Sequence, residues 1–242
     1  MNSDASSYSP FPGIGIDLFL RSEAMFLRDS IIRRPAVIGW FCVASIVVGA
    51  GFYGAEIGSW RDGWQALYTG IKFPLVILLT TLGNGLLNGM LAPLLGLNIP
   101  FRQTFVLVLL SFAITSLILA GLSPIAWFVV WNTPPLGIKT GLSSPEYGLL
   151  QLTLAGFTAF AGIMGNVRLW PLLRNGTRAE GVALRVLLAW LAANLFLGSQ
   201  IAWVLRPFIW DPARPVEFIG QQYLHGSFYE TIFEAARRLI VP

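Results

Sequence analysis

Five stretches of the chain contain no charged residue, and each is long enough to cross a membrane as a helix. Because an α-helix rises ~1.5 Å per residue, about 20 apolar residues span the ~30 Å of hydrocarbon in a bilayer. The stretches cover residues 35–55, 73–101, 103–138, 147–167 and 186–205. They predict an all-α fold, an integral membrane helical bundle whose five transmembrane helices lie at about 35–55, 73–97, 105–131, 147–167 and 186–205.

The third stretch is too long for one straight span, and it contains Ser123 and Pro124. Proline removes a backbone donor from a helix. We therefore expect either a kink at Pro124 or a helix end there, followed by a short second helix.

Two amphipathic segments flank the predicted bundle. Residues 1–34 form a cytoplasmic segment in which apolar residues recur at spacings of three and four, which predicts a helix lying at the membrane interface. These residues are Ile16, Leu20, Ala24, Leu27 and Ile31. Residues 206–242 form an extracytoplasmic tail, in which Ser227 and Glu230 match a capping box and predict a short amphipathic helix.

The distribution of basic residues predicts the orientation. Arginine and lysine are retained on the cytoplasmic side of a membrane, and four arginines precede the first span whereas the next loop contains only Arg61 and, at its end, Lys72. We therefore expect a cytoplasmic N-terminus and a periplasmic C-terminus.

Tryptophans at span ends agree with five spans, because indoles prefer the headgroup level. One reading is a belt that anchors the protein in lipid, and the other is a contact with a partner or a pigment. Residues four apart share a face wherever both are helical. The pairs are Trp60 with Trp64 and Trp127 with Trp131, and Trp203 lies near the end of the last span.

Composition narrows the function classes. The chain is 55% hydrophobic and 12% charged, and its net charge of +4 is spread among short loops, which argues against a nucleic-acid partner. His225 and Cys42 are the only histidine and cysteine, so no metal-ligand cluster or histidine-dependent catalytic set is predicted. We expect that the protein is not an enzyme, that it has no catalytic or metal-binding residue and that it requires no cofactor. The sequence leaves open whether the protein binds a lipid, a pigment or a quinone.

The polar candidates within the spans are amides. Asn84, Gly85, Asn88 and Gly89 alternate along the second span, and Asn194 and Gln200 lie in the fifth. One reading is helix packing, in which glycines admit a close neighbour and an amide bonds to the facing helix. The other is a polar spot for an ion or a lipid headgroup.

Arg206 ends the last span beside Trp203. Its side chain is expected either to reach outward to lipid phosphates or to pair with an acid of the tail, Asp211 or Glu217, or of a partner protein.

Five spans after a cytoplasmic segment, with a short exit on the far side, resemble the Yip family of small membrane proteins. The runs WQALYTGIKFP at residues 64–74 and GSQIAWVLRPF at residues 198–208 are similar to segments of uncharacterised bacterial membrane proteins. The resemblance implies a multi-pass protein of the bacterial inner membrane, and it implies no activity.

Two functional hypotheses follow from these features. The first is a non-enzymatic accessory or scaffold subunit, whose partners are membrane lipids and either other membrane subunits or further copies of itself. The second is a permease or binding protein for a lipid or an apolar small molecule, which predicts a cavity between spans near Asn84, Asn88, Asn194 or Gln200.

Overall fold

The computed structural model describes residues 24–134, 145–174, 180–206 and 216–219, and within them the fold is all-α. We number the helices in chain order. They are α1 (Ala24–Arg33), α2 (Pro35–Ser59), α3 (Gly63–Leu94), α4 (Phe101–Asn132), α5 (Pro145–Val167), α6 (Trp170–Arg174) and α7 (Glu180–Leu205). The predicted short helix near the C-terminus and the first part of the predicted interfacial helix lie outside the described residues.

Five of the described helices, α2, α3, α4, α5 and α7, are long and apolar enough to cross a membrane. The prediction of an all-α bundle of five membrane-spanning helices is therefore confirmed, and the chain is a multi-pass membrane protein. We call the end of the bundle at the α2–α3 turn the Trp60 end, and the end at the α3–α4 connection the Arg102 end.

Several helices extend beyond the charge-free stretches. Helix α2 continues to Ser59, and α3 begins at Gly63 rather than near residue 73. The start of α3 is set by Asp62, whose Oδ1 accepts a hydrogen bond from the Gln65 amide at 2.7 Å. Such a side-chain cap satisfies a backbone donor that the first turn would otherwise leave unpaired. The extensions place Glu56 and Lys72 inside helices.

Helix α4 is continuous through Pro124, which excludes a helix end there, and a kink at this proline stays a prediction. Ser123 Oγ donates to the Leu119 carbonyl oxygen at 3.3 Å, one turn back along the helix. Membrane helices tolerate proline in their interior because neighbouring helices and local backbone adjustments satisfy the groups that it leaves unpaired.

Helices α2, α3 and α4 form the closely packed centre of the bundle, and glycines make the approach possible. A Cβ atom at Gly54 would lie 2.6 Å from the Thr69 carbonyl oxygen of α3, and one at Gly49 would lie 2.6 Å from that of Ser116 in α4. Small residues at such crossings let transmembrane helices gain van der Waals contact along their backbones.

The remaining helices surround this centre. Helix α5 packs against α4, and a Cβ at Gly165 would lie 2.6 Å from the Ser111 carbonyl oxygen. Helix α7 packs against α3. Helices α1 and α6 meet at the Arg102 end, where Ile31 of α1 is buried beside Leu172 and Leu173. The chain turns into the bundle between Arg33 and Pro35.

Candidate functional site

A cavity of about 210 Å³ lies between α3, α4, α5 and α7. It exists because α5 packs on α4 and α7 packs on α3, whereas α5 and α7 barely contact each other along the described residues. The walls are mainly apolar, and the cavity is partly open. Its lining includes Phe73, Thr80, Phe112, Gly162, Asn194 and Ala202.

The size of the cavity limits what it holds. An apolar cavity of ~150 Å³ engineered into a soluble protein stays dry and binds benzene. The present cavity is larger, so one ring or a short length of hydrocarbon chain fits. Because it is partly open, a longer molecule can place one part in the cavity and leave the rest in the bilayer.

Two amides join α5 to α7 beside the cavity. Asn194 Nδ2 donates to Asn166 Oδ1 at 3.3 Å, and Asn166 Nδ2 donates to the Gly162 carbonyl oxygen at 2.8 Å. Asn194 Oδ1 is buried and accepts no hydrogen bond within the described part of the chain. Of the fifth-span amides singled out from the sequence, Asn194 therefore lines the cavity. Gln200 is half-buried on the same helix.

Asn84 and Asn88 are both 0% exposed on α3. Neither the oxygen nor the nitrogen of either amide has a hydrogen-bond partner among the described residues. The two glycines of the same run contact aromatic rings of α4, since a Cβ at Gly85 would collide with the Phe105 ring and one at Gly89 with the Phe101 ring. The run packs against α4, and its amides are left without partners.

The amides of α3 and α7 lie at similar depths. Thr80 of α3 is opposite Gly198 of α7, where an added Cβ would lie 3.5 Å from Thr80 Cγ2. Because the two helices run antiparallel across the bundle, Asn84, one turn beyond Thr80, is level with Asn194, one turn before Gly198. Asn194 thus marks the Arg102 side of the cavity, whereas Asn84 is not among the lining residues.

Two buried charged residues were missed by the sequence reasoning. Glu56 of α2 is 5% exposed and Lys72 of α3 is 2% exposed. Each lies one position outside a charge-free stretch, so both were assigned to a loop. The signal for Lys72 is Asp62, because a capping residue at that position begins α3 in time to include Lys72.

Glu56 lies beside Ser123 of α4 at the Trp60 end, and its Oε2 has no hydrogen-bond partner within the described residues. Lys72 Nζ donates to the Glu217 carbonyl oxygen at 3.2 Å and lies 5.3 Å from the centre of the Phe218 ring. That ring also meets the Tyr68 ring edge-on, with 5.5 Å between centres. Residues 216–219 therefore cover Lys72.

The tryptophans occupy different environments. Trp127 and Trp131 are exposed on one face of α4, with ring centres 5.9 Å apart. Trp60 is buried in the turn after α2, whereas Trp64 is exposed in the first turn of α3. The Trp60–Trp64 pair therefore does not share a helix face, because the α2–α3 turn separates them.

Arg206 follows the last residue of α7 and adopts a positive φ of 43°. Its guanidinium carbon lies 4.4 Å from the centre of the Trp203 ring, and its Nε donates to the Trp203 carbonyl oxygen at 3.3 Å. Of its two predicted acidic partners, Asp211 lies outside the described residues, and Glu217 contacts Lys72 through its backbone. Arg206 thus helps to end α7 beside the aromatic ring.

Comparison with protein-family models, with curated proteins and with solved structures finds no match for this chain. Among the described residues, no three histidine, cysteine, aspartate or glutamate side chains are grouped to hold a metal ion.

Proposed function

We propose that the protein binds a lipid chain or an apolar small molecule in the cavity between α3, α4, α5 and α7. The proposal rests on a cavity of about 210 Å³ with mainly apolar walls inside a bundle of membrane-spanning helices. Because lipid tails are as apolar as the walls of the cavity, a ligand that enters from the bilayer gains chiefly close van der Waals contact with those walls. This binding step is common to a carrier and to a permease, and it requires no catalytic group.

The proposed location is the bacterial inner membrane. It rests on the resemblance of residues 64–74 and 198–208 to segments of bacterial membrane proteins. The arginines before the first span favour a cytoplasmic N-terminus and a periplasmic C-terminus. In this orientation the Trp60 end faces the periplasm and the Asn194 side of the cavity faces the cytoplasm.

Filling the cavity is expected to abolish binding. Gly162 lines the cavity, and a Cβ there would have no heavy atom within 4 Å, so Gly162→Leu places an isobutyl group in open space. In lipid nanodiscs, the wild-type protein should be labelled by a photoactivatable decanol at peptides from α3 and α4. We expect Gly162→Leu to lower this labelling by about tenfold, since the ligand and the new side chain compete for the same volume.

Gly156→Leu is the matched control. Gly156 lies on the same helix, is exposed, also has nothing within 4 Å of an added Cβ, and does not line the cavity. Labelling should be unchanged in this variant. Equal labelling of wild type and Gly162→Leu, or labelling confined to the lipid-facing surfaces, would show that the cavity is not the binding site.

A role as an accessory or scaffold subunit is the second candidate. It is favoured by the two outer helices, because the fourth and fifth candidate spans bury 22% and 17% of their most apolar segment inside the chain, against 61% for α4. Partner helices that pack on α5 and α7 would cover this surface. Gentle solubilisation followed by mass spectrometry of the purified complex tests the idea, and a lone monomer without partners would exclude it.

A further inference from the structure

Lys72 is the most deeply buried charge in the described part of the chain, and it adjoins the cavity. It directly precedes Phe73 and lies one turn before Val76, both of which line the cavity. Side chains on a helix tilt towards its N-terminus, so the ammonium lies on the Trp60 side of the cavity. The cavity therefore has an apolar body, and Lys72, which is not itself a lining residue, lies next along α3 at its Trp60 end.

This ammonium has no counter-charge within the described residues. Its contacts are the Glu217 carbonyl oxygen and the Phe218 ring, and no carboxylate of a described residue lies within ion-pair distance. The other buried charge at this end, Glu56, is on α2, which does not line the cavity. A buried ammonium with one neutral acceptor leaves two of its three hydrogens unused, and burying a charge without an opposite charge is costly.

A second cation lies at the same end. Arg206 comes one turn after Ala202, which lines the cavity from α7. Helices α3 and α7 thus each place a basic residue just beyond their last cavity-lining turn on the Trp60 side. Two cations at one end of an apolar cavity attract a molecule that carries a negative charge at one end.

We propose that the ligand of this cavity is an amphiphile with an anionic head, a carboxylate or a phosphate, and that Lys72 pairs with this head while the hydrocarbon fills the cavity. The inference rests on the proposed binding function and names the chemical class of its ligand. A charge-assisted hydrogen bond to the head satisfies the ammonium, and the phenyl ring of Phe218 shields the pair from the side of residues 216–219. The Asn194 end of the cavity then contacts the hydrocarbon rather than the head.

The test measures how well decanoate and decanol compete with the photoactivatable decanol in phosphatidylcholine nanodiscs at about pH 8, where the carboxylate is ionised. In the wild type, decanoate should displace the probe at a lower concentration in the bilayer than decanol. In Lys72→Met, displacing the probe should require about tenfold more decanoate than in the wild type, whereas the amount of decanol required should be unchanged. Lys72→Arg should keep the preference for decanoate, because the charge is kept.

Arg61→Gln is the control for general surface charge, since it removes one cation from the same end at a half-exposed position in the α2–α3 turn. It should leave the preference intact. If decanoate and decanol compete equally and respond equally to Lys72→Met, the ligand does not need an anionic head. The proposal that the cavity binds an apolar ligand would then still hold. If neither displaces the probe, the proposed function itself fails.

Competition by phosphatidylglycerol identifies the source of the head. Displacement of decanoate in nanodiscs that contain phosphatidylglycerol assigns the site to a membrane phospholipid, and the absence of displacement assigns it to a free fatty acid.

Thermal unfolding adds an independent measurement. Lys72→Met should raise the Tm of lipid-depleted protein because it removes an unpaired buried charge. A lower Tm would show that the chain already satisfies the ammonium, and it would overturn the assignment.

Discussion

Gly58→Val is expected to lower the free energy of unfolding by about 3 kcal/mol, at the upper end of the usual cost of overpacking. Gly58 lies where α2 meets the first turns of α3. A Cβ there would lie 2.6 Å from Ala66 Cα and 2.7 Å from Ala66 N, and it would also collide with the Gln65 carbonyl oxygen. These are backbone atoms, so no side-chain rotation relieves the clash, and α3 must move away from α2.

Gly121→Val separates this contact from the ordinary cost of valine in a helix. Gly121 is exposed within α4, and an added Cβ there has no heavy atom within 4 Å. Because both substitutions place a β-branched residue in a helix, the difference between them isolates the clash. Reversible unfolding in mixed detergent micelles measures both. Equal midpoints for the two variants would contradict the close α2–α3 approach.

The double substitution Asn84→Leu, Asn88→Leu is expected to stabilise the protein by about 2 kcal/mol. Both amides are fully buried, and none of their four polar atoms has a hydrogen-bond partner in the described part of the chain. Each unpaired buried group costs free energy because the unfolded chain recovers hydrogen bonds for it. Leucine has a similar shape and carries no such cost.

Asn166→Leu is the opposite case, and reversible unfolding in mixed detergent micelles measures both variants. Its amide donates to the Gly162 carbonyl oxygen and accepts from Asn194, so the substitution removes two hydrogen bonds and leaves Asn194 Nδ2 without its acceptor. We expect this variant to unfold more easily than the wild type. If the Asn84, Asn88 double variant is also destabilised, these amides bind a partner such as an ordered water molecule or an ion.

The sequence predicted the membrane-spanning bundle well because the constraint is strong: a helix core in hydrocarbon excludes charge, and five uncharged stretches therefore mark five helices. Helix ends were predicted less well because a helix does not stop where charge resumes. Asp62 begins α3 well before the uncharged stretch, and α4 passes through Pro124. As a result, Glu56 and Lys72 were assigned to a loop although both are buried in helices.

The candidate site was only partly predictable. Amides that interrupt an apolar helix are visible in any sequence, and one of them, Asn194, does line the cavity. The cavity itself depends on the separation of α5 from α7, which follows from how each packs on a different neighbour and has no local signature. The close contacts of Gly54 and Gly58 did have a signal, since small residues four apart mark a packing face.

The order of the helices along the chain has a consequence for biogenesis. Helices α2, α3 and α4, which pack most closely, are consecutive, so the central part of the bundle is complete before synthesis reaches α5. Domains generally assemble from the N-terminal side while the chain is being made. The final wall of the cavity is supplied by α7, the fifth of the described spans along the chain. The cavity therefore closes in the presence of surrounding lipid, and a ligand of the kind proposed above has access to it while the bundle is being completed.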